Sequence, residues 1–83
     1  MKIVFFYLDS LSEMCEIVQD YCEEHDFECD MFNVDEDPDV LDDYNVKGIP
    51  PIFIVFDDLG RRVLTHKGRF DKSKFNQIVS TLD

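Results

Sequence analysis

The stretch Asn33-Val34-Asp35-Glu36-Asp37-Pro38, continued by Tyr44-Asn45-Val46-Lys47-Gly48-Ile49-Pro50-Pro51, decides the fold. Asp35 to Asp37 are turn formers, because a short carboxylate competes for nearby backbone N–H groups. Pro38 fits the first turn of a helix, where the missing N–H costs nothing. Val40, Leu41 and Tyr44 give a short helix an apolar side through Asp43 or Tyr44. Lys47-Gly48-Ile49-Pro50-Pro51 then stops it, since proline lacks a donor and restricts its predecessor.

Upstream, Phe27 to Val34 reads as a strand. Before it, Leu11, Met14, Cys15, Val18, Tyr21, Cys22 and His25 recur at three- and four-residue steps. Glu13, Glu16, Gln19, Asp20, Glu23 and Glu24 lie between them, which predicts an amphipathic helix with an acidic outer face. Ser10 and Glu13 read as its capping box. Lys2 to Leu8 is β-branched and aromatic throughout, the pattern of a strand buried on both faces, and Asp9-Ser10 breaks it.

Downstream, Ile52 to Phe56 is another apolar strand. Asp57-Asp58-Leu59-Gly60 predicts a hairpin turn into a more polar edge strand, Arg61 to Lys67, closed by Gly68. Asp71 caps a last helix with Phe75, Ile78, Val79 and Leu82 facing inward. The order is β-α-β-α-β-β-α, one α/β domain over 1–83. It implies a right-handed first crossover, a hairpin, and helices on both sheet faces.

The 83 residues are 45% hydrophobic and carry a net charge of −11. A chain this short buries only about 60% of its unfolded surface, so the core is modest. No run of ~18 apolar residues offers a membrane span. The acidic balance argues against nucleic acid, whose phosphates need a basic face. The charge is lopsided. Residues 1–43 hold fifteen acids and one base, whereas residues 44–83 hold four acids and seven bases. That asymmetry reads as a solvated face or as steering toward a basic partner. The acidic half offers no obvious apolar patch for a permanent dimer, which leaves a monomer as the expectation.

Cys15, Cys22 and Cys29 are an odd set. Without the basic start and cleavage site of a signal peptide, they fit reduced thiols in a cytoplasmic protein better than a disulfide framework. Neither they nor His25 and His66 have zinc-ligand spacing, and no metal or cofactor is expected.

The run from Asn33 to Pro38 and from Tyr44 to Pro50 resembles the thioredoxin family. Thioredoxins carry a similar Asn-(Ile/Val)-Asp-x-x-Pro segment followed by Tyr-x-(Ile/Val)-x-(Gly/Ser)-(Ile/Val)-Pro. The resemblance covers nearly the whole chain and implies a minimal thioredoxin fold with a four-stranded mixed sheet. It implies a cis proline at Pro50, which helps form a groove for an extended protein or peptide with Leu11, Ile49 and Gly68. Pro51 departs from the pattern, since the family usually has a β-former there.

The resemblance also places the family's Cys-x-x-Cys at Ser12-Glu13-Met14-Cys15. That chemistry needs a thiolate exposed at the helix N-terminus, where the dipole and free N–H groups stabilise it. A second cysteine then resolves the mixed disulfide. Ser12 cannot be the nucleophile, and no neighbouring base is evident to activate it. Cys15 is left at the resolving position, either as a lone redox thiol or as a small buried hydrophobe. Cys22 is roughly 10 Å from Cys15 by helix rise, beyond the ~7 Å reach of a disulfide. Cys29 is most simply core. The buried Asp and Lys that assist family members fall on Phe6 and Met31 here, so both look replaced together.

Three functions are open at this point. One is a redox-degenerate module that binds protein through the groove. Another is a thiol–disulfide oxidoreductase, acting through Cys15 or in a form where Ser12 replaces an engineered-out cysteine. The third is a compact acidic scaffold.

Overall fold

A computed structural model describes residues 1–82; the inward position read for the Leu82 side chain lies outside the described residues. The observed elements are β1 (Lys2–Tyr7), a short 3₁₀ turn (Asp9–Leu11), α1 (Glu13–Glu24), β2 (Glu28–Asn33) and α2 (Val40–Asp43). They continue with β3 (Ile52–Phe56), β4 (Arg62–Lys67) and α3 (Lys72–Leu82). One four-stranded sheet runs β2-β1-β3-β4. β1 pairs parallel with β2, Phe5 opposite Met31, and antiparallel with β3, Phe5 opposite Phe53. β3 and β4 form the antiparallel hairpin. β1 is therefore central, and its four middle residues are buried, as its unbroken apolar run requires.

The side-chain period of two divides the core. Ile3, Phe5, Phe53 and Val55 point to one face, where Val18, Tyr21 and Cys22 of α1 and Phe75 of α3 cover them. Val4, Phe6, Ile52 and Ile54 point to the other, beneath Val40 and Val46. The first face is aromatic. Phe5 stacks on Phe53 at 4.5 Å between centroids, and Tyr21 packs against Phe27, Phe70 and Phe75.

Two local devices set the helix ends. Asp26 and Asn45 take positive φ, 56° and 55°. Phe27 N–H bonds the Cys22 carbonyl at 2.8 Å, and Val46 N–H bonds the Leu41 carbonyl at 2.9 Å. Each is a Schellman cap that satisfies orphan carbonyls and turns the chain back across its own helix. Asp71 does cap α3, accepting from Lys74 N–H through its carboxylate at 3.2 Å. The hairpin turn is pinned by Asp57, which accepts from the Leu59 and Arg61 N–H groups and from the Arg61 guanidinium.

The capping box expected at Ser10 and Glu13 does not form. Ser10 lies inside the 3₁₀ turn, and α1 starts only at Glu13. Its flanking residue is Ser12, already helical at φ −59° and ψ −25°, with no side-chain cap. The 3₁₀ turn feeds straight into the helix, so no extended residue is left to act as a cap.

Candidate functional site

The carboxyl end of β1 delivers Ser12 to the start of α1. Ser12 N–H bonds the Asp9 carbonyl at 3.3 Å, and Cys15 N–H bonds the Ser12 carbonyl at 3.1 Å. The Ser12 side chain is exposed. Its loop is held from across the sheet. Asn33 Nδ2 donates to the Asp9 carboxylate at 2.6 Å, Asp9 N–H to the Asp35 carboxylate at 2.7 Å, and Asp35 N–H to the Asn33 side chain at 2.9 Å. The deciding Asn33–Asp35 run thus latches the turn that carries the motif.

Cys15 is half-buried against the aromatic face. Burial pushes its thiol up from the ordinary range, and a hydrogen bond from Tyr7 offsets part of that rise. Burial also raises the Tyr7 phenol, with the Cys15 charge adding to the shift.

Tyr7 corrects the sequence reading at Phe6. Phe6 is buried on the opposite face, against Phe32 and Tyr44, and does not lie beneath the motif. Strand alternation puts Ile3, Phe5 and Tyr7 on the α1 side. The polar group beneath Cys15 is therefore a phenol one residue further on. Met31 is on the α1 face, opposite to that of Phe6.

The prolines need a second correction. The cis peptide bond lies between Pro50 and Pro51, so Pro51, not Pro50, is the cis residue. Pro50 is buried and Pro51 half-buried. The reason is register. Gly68 N–H bonds the Pro51 carbonyl at 2.9 Å, extending the β3–β4 ladder by one rung, so Pro51 is the residue that abuts the sheet. Gly68 takes φ +120°, a conformation open to glycine.

The remaining groove residues are only partly brought together. Leu11 lines an open, largely apolar cleft with Met14, Ile17, Arg69 and Phe70. Arg69 adjoins Gly68, which is bonded to Pro51. Ile49 is 83% exposed and Ile17 57% exposed. The Lys67 stem lies over Gly48. Leu11, Gly68 and Pro51 are joined through these contacts, Ile49 stands clear in solvent, and Pro50 is turned inward. Among the described residues no group of histidine, cysteine or carboxylate side chains has a metal-binding arrangement. No described helix is long and apolar enough to cross a membrane.

A parallel β-α-β unit joined through a short helix to a β-hairpin and a final helix defines the thioredoxin fold. No protein-family profile matches the sequence, and no curated protein matches it. Solved structures do. Thioredoxin 1 from Thermosipho africanus superposes with a TM-score of 0.79 at 23% identity, over 99% of this chain and 94% of that one. A point mutant of a thioredoxin from Halobacterium salinarum gives 0.78 at 23% identity, over 98% and 73%.

Proposed function

We propose that this chain is a thioredoxin-fold protein-binding module that does not run dithiol exchange at its motif. The observation that carries this reading is the pairing of an exposed Ser12 at the N-terminus of α1 with a Cys15 thiol raised by burial. The helix start that would stabilise a thiolate has none to stabilise, and the sulfur one turn on keeps its proton at neutral pH. The surface beside it supports binding. Leu11, Met14 and Ile17 present apolar area at the cleft, and Ile49 is an exposed apolar side chain. An exposed apolar rim with polar borders fits an extended protein segment. Arg69 and Glu13 both line the cleft, so a segment of mixed charge fits best. The unpaired thiol at Cys15 suits the reducing cytoplasm.

Insulin reduction with dithiothreitol tests the reading. No acceleration above the dithiothreitol background is expected. Turnover that is abolished by Cys15→Ala would overturn it in favour of an oxidoreductase. Selection of extended peptides from a displayed library, lost with Ile49→Asp and Leu11→Asp, is the matching test of the groove.

A further inference from the structure

Away from Ser12, toward the far end of α1, two other cysteines line one cleft. Cys22 is buried at 1% exposure, and Cys29 is half-buried on the edge strand β2. The Schellman cap at Asp26 brings them together. Phe27 returns over Cys22, and strand alternation then sets Phe27, Cys29 and Met31 on the face that α1 covers. Cys22 and Cys29 line one cleft with Gln19, Glu23, Phe27 and Met31, open at the edge of the sheet. We propose that Cys22 and Cys29 form a dithiol–disulfide site, separate from the Ser12–Cys15 motif, that is oxidised by low-molecular-weight disulfides such as glutathione disulfide.

The two sulfurs divide the work by position. Beside each other, Cys29 pushes the Cys22 thiol up and Cys22 lowers the Cys29 thiol. Cys29 is also the sulfur with solvent access, so it attacks first. Its thiolate takes one sulfur of the small disulfide, breaking that S–S bond and expelling one thiolate. Cys22 then gives its proton to solvent and attacks the Cys29 sulfur. The mixed S–S bond breaks and the second thiolate leaves. The protein loses two electrons and two protons, and the small disulfide departs as two thiols. Cys15 does not bridge to Cys22, because helix rise keeps the two roughly 10 Å apart.

The test is incubation of the purified chain with glutathione disulfide, followed by acid quench, maleimide labelling and peptide mapping. Three reactive thiols should fall to one, with a linked Cys22–Cys29 peptide and Cys15 still labelled. Cys22→Ala should stop at a glutathione adduct on Cys29, and Cys29→Ala should leave Cys22 unmodified while its circular dichroism stays that of the parent. A bridge that includes Cys15, glutathione adducts on the parent chain with no bridge, or three thiols still reactive would each overturn the proposal.

Discussion

The two ends of α1 treat a cysteine differently. At the N-terminal end Cys15 meets the Tyr7 phenol, and the residue that would partner it, Ser12, has no sulfur. Toward the C-terminal end Cys22 meets Cys29, and Tyr21 beside it is clamped by four rings and by a hydrogen bond to Asn76. The helix is the same, so the contrast teaches that a cysteine's neighbour shifts its thiol alongside its position on the helix. The N-terminal end has an open apolar cleft and a serine at the motif position. The C-terminal end has the proposed thiol pair in a cleft beside a packed aromatic cluster.

The contrast breaks most visibly in stability. Tyr21→Ala should cost about 3–5 kcal/mol by chemical denaturation, since it empties an aromatic cluster. Met14→Ala, on the open end, should cost about 1 kcal/mol. Equal losses would mean that the ends are packed alike.

Ser12→Cys should sharpen the comparison next. A thiol there meets the helix dipole, so its pKa should fall below ~8.5 and its alkylation at neutral pH should outrun that of Cys15 by at least about tenfold. Iodoacetamide kinetics followed by mass spectrometry measure this.

Tyr7→Phe removes the donor that lowers the Cys15 thiol, so that thiol should rise further and alkylate a few-fold more slowly. A matching pH effect follows from Cys15 itself. Its folded pKa lies above the unfolded value, so the folded state holds the proton longer. The resulting stability is present below the unfolded thiol pKa and is lost as pH rises from there through the folded value. Denaturation midpoints of Cys15→Ala should fall less between neutral and strongly alkaline pH than those of the parent.

The smallest effect should be at the rim. Ile49→Asp should change stability by no more than about 0.5 kcal/mol while abolishing peptide capture.

Much of the architecture is legible in the residues. The apolar run of β1, the acidic amphipathic α1, the Asp57 turn and the Asp71 cap all follow from local chemistry that tertiary packing does not override. The site was less legible. Counting back from Ser12 puts Phe6 beneath the motif because it cannot see the 3₁₀ turn, which takes up the chain between the end of β1 and α1. One residue of slack in a strand exchanges its faces. Pro50 was read as the cis residue by motif alignment alone, whereas the ladder hydrogen bond from Gly68 fixes Pro51 at the sheet end. Cys29 reads as plain core because periodicity alone does not mark Asp26 as the left-handed residue that brings the chain back over Cys22. An aspartate followed by an apolar residue at a helix end was the available signal, and Asn45-Val46 repeats it.

The latch among Asp9, Asn33 and Asp35 has a consequence for how such a chain can change by descent. Asn33 grips Asp9 across 24 positions of sequence. The placement of residue 12 is therefore adjustable by substitutions far from it in sequence. Variation can explore the geometry of the motif without touching the motif, and lineages can retune this surface while its visible signature stays the same.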